Sequence, residues 1–497
     1  MMKNTKTIGM VAGLLILALG LLLPVPQGMN PQARNVALIT LLMAVWWMTE
    51  AIPVYATAFL PMVLFPLLGV LPAGKTAINY GHDFVLMMIS GFFLAMAIEA
   101  QNLHKRIALL IIRALGSSRP VLLLSMMLAT AFLSMWIANV TAALLMLPIG
   151  MALIVKEESL SGNDSRFGTV MMLGIAFSAS IGGTATLIGS PTNMIFTGIL
   201  GHMFPQAPPV SFFTWLKIGL PLVIFFLPVI WLYLVRFYKV KDSIPGSREL
   251  IQQELQQMGS LTKGEFRVMV IFLFASMGWV FREDLVIDTF IMPGWASLAG
   301  LNHFVHDSTV GMAAAMLLFM TADGKGSRLL TWKTASKIPW GVGVIVGGGY
   351  ALASGFKATE LSAWIGGQLA FISGYPTFVV IFIVVAVVLL FTEINSNTAT
   401  VNIFLPVLAS LAVAGNINPL LLMLPATFAS SFVFMMPAGT GPNTVIFGSN
   451  RITAPEMARA GLGLKVISML LLPLLLYLLI GWVFGDARSL PFWAVIQ

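Results

Sequence analysis

Two asparagine-centred breaks interrupt two very apolar runs of this chain, and they do so in the same way. Ala138-Asn139-Val140 precedes Leu147-Pro148, and Ser396-Asn397-Thr398 precedes Leu405-Pro406, so the two asparagines, like the two prolines, lie 258 residues apart. The same offset pairs Gly91 with Gly349, Leu94 with Leu352 and Leu103 with Leu361. A second pair of breaks lies farther on: Gly189-Ser190-Pro191-Thr192-Asn193 matches Gly439-Thr440-Gly441-Pro442-Asn443 at an offset of 250. The chain is an internal duplication. Paired helix breaks at matching places in two membrane halves are the best sequence pointer to a transporter's binding site.

Only 9% of the residues are charged and 58% are apolar, whereas soluble domains carry about 25% charge. Many runs reach the roughly 20 apolar residues that cross a hydrocarbon core as a helix, and none shows the alternation of a barrel strand. No polar stretch is long enough to fold alone, so a single membrane domain is expected. The absence of cysteine excludes disulfides, thiolate metal sites and cysteine nucleophiles. The net charge of +8 reads as basic residues retained in cytoplasmic loops, and no nucleic-acid-binding module is visible. Thr7 to Leu23 follows Lys3 and Lys6 like a signal peptide, but it lacks a small-x-small cleavage site before Pro24 and is expected to stay as a first span.

Apolar length predicts eleven spans: 7–25, 35–50, 54–72, 84–100, 168–201, 214–235, 266–281, 309–322, 341–356, 421–450 and 461–485, with 168–201 broken near Gly189 and 421–450 near Gly439. Gln101 to Arg119 is amphipathic and suits the interface. The 36 residues of 120–155 would extend ~54 Å as one helix, too long for a ~30 Å core. They must fold back, either as a re-entrant hairpin with Asn139 at mid-depth or as two short spans with Asn139 at the far surface; the stretch 377–414 repeats this anatomy around Asn397. A cytoplasmic N-terminus assigns 21 Lys/Arg to inner segments and 6 to outer ones, the bias of the positive-inside rule. An odd number of crossings then inverts the second repeat. The expected division is an N-terminal span (1–34), a first repeat (35–238), a cytoplasmic linker (239–264), an inverted second repeat (265–485) and a tail (486–497). The fold class is an all-α polytopic membrane protein with about eleven transmembrane helices and two re-entrant hairpins.

A helix broken in hydrocarbon leaves peptide groups that cost several kcal/mol each unless protein, ion or water satisfies them. N-terminal helix ends attract carboxylates, and freed carbonyls suit a small hard cation. Asn139, Asn397, Gly189 and Gly439 are therefore the prime candidates for ligand contact, while Pro148 and Pro406 are expected to shape the hairpin arms. Glu50 is expected to cap a helix or pair with a base, and Glu393 either senses protons or buttresses the second hairpin. His82-Asp83 and His306-Asp307 resemble half a metal site but sit at loop ends and off the repeat offset. The 31 methionines read as adaptable packing.

Trp46-Trp47-Met48-Thr49-Glu50-Ala51-Ile52-Pro53, Ser396-Asn397-Thr398-Ala399-Thr400 and Pro437-Ala438-Gly439-Thr440-Gly441-Pro442-Asn443 resemble the divalent anion:sodium symporter family, from about residue 35 to the C-terminus. The resemblance implies a homodimer in which a hairpin-bearing transport domain slides as an elevator against a scaffold, carrying C4-dicarboxylates, citrate or sulfate. It implies substrate contacts from Asn139, Ser190, Ser396, Asn397, Thr398 and Thr440. It also implies one sodium site around Ser134, Asn139 and Gly189, and a counterpart around Thr392, Asn397 and Gly439. Ala138 and Val140 replace the family's serine and threonine at the first tip, although Thr141 stands one residue on, and Gly-Ser-Pro-Thr-Asn replaces a Gly-Thr-Pro-Pro-Asn type sequence at the first broken helix. The expected function is secondary active transport of a small divalent anion with sodium as coupling ion, in a bacterial inner membrane. The rivals are a sodium-independent carboxylate exchanger and, in a different class, an intramembrane enzyme, for which Glu393 has no evident catalytic partner.

Overall fold

Helices dominate because a backbone surrounded by apolar side chains must bond to itself. The computed structural model describes residues 2–115, 118–161, 166–241, 247–287, 290–485 and 489–495. It opens with α1 (Met2–Leu22), α2 (Pro31–Thr49), α3 (Val54–Thr57), α4 (Leu60–Leu67), α5 (Ala73–Ala77), α6 (Asp83–Ala100) and α7 (Leu103–Leu115). The first hairpin is α8 (Arg119–Ser134) and α9 (Asn139–Ser161), followed by the broken pair α10 (Phe167–Gly182) and α11 (Pro191–Met203), then α12 (Phe212–Phe237) and α13 (Ser247–Gln257). Next come α14 (Lys263–Val280), the strands β1 (Leu285–Ile287) and β2 (Phe290–Met292), α15 (Trp295–Leu298), α16 (Asp307–Met320), α17 (Trp332–Ala335), α18 (Trp340–Ala358) and α19 (Leu361–Gln368). The second hairpin is α20 (Thr377–Phe391) and α21 (Asn397–Ala414), then the broken pair α22 (Leu420–Ser430) and α23 (Gly441–Phe447), α24 (Ala454–Phe484) and α25 (Phe492–Val495).

Boundaries follow local chemistry. The Asn30 side chain accepts from the Ala33 amide with Pro31 opening α2, and Thr262/Glu265 and Thr453/Glu456 form capping boxes at α14 and α24. Among the described residues, six stretches are long and apolar enough to cross a membrane as single helices, including α9, α12, α21 and the 31-residue α24. The expected span 54–72 is instead the two short helices α3 and α4, because Pro61, at the start of α4, has no N–H to donate back to the Thr57 carbonyl. The expected linker 239–264 carries α13, and residues 242–246 of it lie outside the described residues, as do 486–488 and 496–497 of the tail. Lys105 pairs with Glu254 at 2.8 Å, and Arg106 bonds Glu265 and the carbonyls of Met258, Gly259 and Ser260, so the linker is fastened to α7. The interfacial helix expected at 101–119 is α7, and α19 occupies the matching place after α18, where Leu361 answers Leu103.

β1 and β2 form a three-residue antiparallel ladder, and beside it Arg282 donates to Asp307 Oδ1 at 2.6 Å. Asp307 Oδ2 accepts from the Phe212 amide at 2.8 Å, so one buried carboxylate joins the starts of α12 and α16. His306 is the N-cap of α16: its Nδ1 accepts from the Ser308 amide, which requires an unprotonated nitrogen. Burial holds His306 below the ordinary imidazole value of 6.5, against the opposing pull of Asp307 and Asp83. A depressed folded-state pKa means the unfolded chain binds the proton more readily, so this contribution is complete above about 6.5 and declines as the pH falls below it. The melting temperature of the purified protein should therefore fall on acidification from pH 7 to 5, and His306→Asn, which keeps an acceptor cap without titrating, should lessen that slope, the remainder belonging to groups such as His82 that burial also holds low. An unchanged slope would remove His306 as its source.

Candidate functional site

Four helices begin at one cavity, and the four that precede them in the chain stop behind it. The C-terminal ends are those of α8, α10, α20 and α22, and the N-terminal ends are those of α9, α11, α21 and α23. The cavity has a volume of about 490 Å³. The first tip contributes Ala138, Asn139, Val140 and Thr141, and the second contributes Ser396, Asn397 and Thr398. The first break adds Gly189 and Ser190, the second Gly439 and Thr440, and Met88, Phe92 and Val342 complete an apolar wall. No lining residue carries a charge. All the expected substrate residues, Asn139, Ser190, Ser396, Asn397, Thr398 and Thr440, meet here, so the arms of 120–155 and 377–414 bring Asn139 and Asn397 to a shared interior rather than to opposite surfaces.

Ser134 and Thr392 do not line the cavity; they lie behind the tips in matched positions. Ser134 Oγ is 2.9 Å from Asn139 Oδ1 and 2.6 Å from the Ala179 carbonyl, and Thr392 Oγ1 is 3.2 Å from Asn397 Oδ1 and 2.7 Å from the Ser430 carbonyl. A hydroxyl owns one hydrogen and can donate it to only one of these oxygens. Each repeat therefore gathers three oxygens around a single proton. Beside the breaks, Ser180 Oγ on α10 and Asn443 Oδ1 on α23 are buried without a hydrogen-bond partner.

The breaks are closed by side chains the repeats share. Asn193 Nδ2 donates to the carbonyls of Gly183 (2.9 Å) and Thr186 (2.7 Å), and Asn443 Nδ2 donates to those of Val433 (3.4 Å) and Met436 (3.0 Å). The two predicted glycines permit close approach of tip to break. A Cβ on Gly189 would lie 2.6 Å from the Gly183 oxygen and 3.0 Å from that of Met135. A Cβ on Gly439 would lie 2.6 Å from Val433 Cγ1 and 3.1 Å from the Glu393 oxygen, and Met135 and Glu393 are themselves equivalent at the 258-residue offset. Alanine at either place would push a hairpin tip away from its broken helix.

Elsewhere the repeats differ. Trp215 Nε1 donates to the Thr184 carbonyl at the first break, whereas at the second Lys465 Nζ donates to the carbonyls of Leu389 and Phe432, each at 2.7 Å. Lys465 also pairs with Glu393 at 2.6 Å, and the Glu393 carboxylate accepts from three successive amides, Phe434, Met435 and Met436. Both side chains are buried. Glu393 thus buttresses the second hairpin and has a partner that sequence reading did not find. The available signal was a lone lysine inside the apolar run 461–485, where an ionisable group calls for a counter-charge. Glu50 ends α2 with a positive φ of 47° and pairs with Lys6 at 3.4 Å on the surface. His82 caps α6 and packs its ring at a tilt against His202 and edge-on against Tyr350, away from the cavity.

This arrangement of paired hairpins and broken helices is that of an integral membrane transporter fold. The same fold is seen in the crystal structure of the Alcanivorax borkumensis YdaH transporter (TM-score 0.56, 14% identity, covering 91% of this chain and 99% of that one). It also occurs in Neisseria gonorrhoeae MtrF (TM-score 0.54, 12% identity, 92% and 96% covered). The chain belongs to the sodium:sulfate symporter transmembrane region family, whose profile matches residues 4–486. Its relatives include the sodium-dependent dicarboxylate transporters SdcS of Staphylococcus saprophyticus and Staphylococcus aureus, each 38% identical over 98% of this chain and 93% of the relative.

Removing one member of a buried ion pair strands the other, at a cost of about 3–5 kcal/mol, whereas removing both is far cheaper. Glu393→Gln and Lys465→Met should each lower the unfolding free energy by that amount in detergent, and the double variant should recover most of the loss. Additive losses in the double variant would refute the pairing.

Proposed function

We propose that the protein is a secondary active transporter that moves a small dicarboxylate or related divalent anion with sodium. The observation that carries this reading is the separation of charge preferences within one site. Helix N-termini and hydroxyls face the cavity, while proton-poor oxygen clusters lie directly behind its two asparagines. Ser396, Asn397 and Thr398 with Asn139, Ser190 and Thr440 bind the anion. Ser134, Asn139 and Gly189 hold one sodium ion, and Thr392, Asn397 and Gly439 hold another. Because each asparagine belongs to both sets, a bound cation fixes the tip in the form that receives the anion.

An uncharged lining explains why coupling is needed. A dianion entering a low-dielectric interior without cations meets a large desolvation penalty, and sodium ions beside it cancel much of the charge. The names of the staphylococcal relatives favour sodium dependence over sodium-independent exchange. In this account the repeats 35–238 and 265–485 are inverted about the linker 239–264, after the N-terminal span 1–34 and before the tail 486–497. The N-terminus lies in the cytoplasm of a bacterial plasma membrane. Two copies pair, and the hairpin-bearing part of each slides as an elevator against the paired remainder.

Proteoliposomes holding the purified protein should accumulate labelled succinate only under an inward sodium gradient. Asn397→Ala should abolish uptake while the protein remains folded, and Thr392→Val should raise the half-saturating sodium concentration by about 10-fold, the expected loss of one ligand-ordering contact. Equal uptake without sodium would contradict the coupling, and normal uptake by Asn397→Ala would contradict the site.

A further inference from the structure

Comparing the two tips within this one chain exposes a difference that bears on what the cavity selects. At the 258-residue offset Ser396 corresponds to Ala138 and Thr398 to Val140, so one of the duplicated asparagines is flanked by hydroxyls and the other by hydrocarbon. Ser396 Oγ accepts from the Ala399 amide and shares a hydrogen bond of 3.4 Å with Thr398 Oγ1, so one hydroxyl hydrogen is free for an entering carboxylate and the other needs only to turn from its neighbouring hydroxyl to reach the same carboxylate. The opposite flank is fixed. Val140 is 40% exposed, yet a Cβ on Gly441 would come within 2.1 Å of its Cγ2, so its isopropyl group rests on the Gly441 backbone and presents methyl groups to the cavity. Ile188, Met88 and Phe92 continue that apolar surface.

Resting on the transport reading above, we infer that the site is a selective one for short dicarboxylates with a bare hydrocarbon middle: the second tip grips one carboxylate, Asn139 and Thr141 meet the other, and the Ala138–Val140 flank excludes substrates that carry hydroxyl or further carboxyl groups between them. The physical cause is loss of hydration. A hydroxyl on the middle carbons leaves water for a wall that offers neither donor nor acceptor. An apolar pocket discriminates against an added hydroxyl by up to about 100-fold. Sulfate, which has no hydrocarbon to lay against the wall and only one charged centre to share between two tips, forfeits half the contacts.

The test uses the full-length protein in proteoliposomes and measures how unlabelled anions inhibit sodium-driven uptake of labelled succinate. Half-inhibiting concentrations should rise about 10-fold or more from succinate to malate and again to tartrate, with citrate and sulfate weaker still. The double variant Ala138→Ser/Val140→Thr, which copies the second tip onto the first, should reduce the malate-to-succinate ratio at least threefold. Because the wild-type series stands alone, the inference is decided even if that variant fails to fold. Succinate, malate and tartrate of equal potency, or sulfate equal to succinate, would overturn it while leaving transport intact. Absence of sodium-driven uptake of every dianion would overturn the transport reading itself.

Discussion

A peptide group with no partner inside an apolar interior is the constraint on which this molecule is built. Where a helix stops in such surroundings, its last carbonyls and first amides must be met, and the chain begins four helices at one cavity and ends the four preceding ones behind it. It meets part of that demand with its own side chains, the amides of Asn193 and Asn443 above all. In the function proposed above, the helix N-termini in front serve a carboxylate and the oxygen clusters behind serve a small cation.

Duplication solves the same problem twice, but the two solutions are not electrically alike. The first break rests on the Trp215 indole, a neutral donor held in apolar surroundings, while the second rests on the Glu393–Lys465 pair. The pair has no net charge, so it adds rigidity without changing the sign of the site. Its carboxylate occupies the turn of amides at 434–436 and its ammonium takes two carbonyls, which leaves the second tip held from both sides. The better-held tip is also the one with hydroxyls on both sides of its asparagine.

Much of the site was legible because repetition of Asn139 with Asn397 and of Gly189 with Gly439 marks places where ordinary membrane helices have no reason to stop. Ser134 and Thr392 were singled out only by family likeness, and the structure sets them behind the cavity, each on an asparagine oxygen. What escaped was long-range pairing: Lys465 reaches Glu393 across 72 residues, and apolar periodicity carries no information about which segments touch. Methionine, phenylalanine and valine of the cavity wall read in sequence like any lipid-facing residue. The error at 54–72 was local, since Pro61 falls where one short helix ends and the next begins.

The first hairpin tip meets the second broken helix in one interior site, and the proposed function depends on that meeting. The chain has no cysteine, so an introduced pair can be read without background. Val140 Cβ stands 3.3 Å from the position of a Cβ on Gly441, close to the spacing of about 3.5–4.5 Å that a disulfide spans. Oxidation of the folded Val140→Cys/Gly441→Cys variant in membranes, followed by maleimide labelling, should show both thiols lost together within one chain. Two thiols that remain independently labelled after oxidation would mean that tip and break lie apart, and the account would fail.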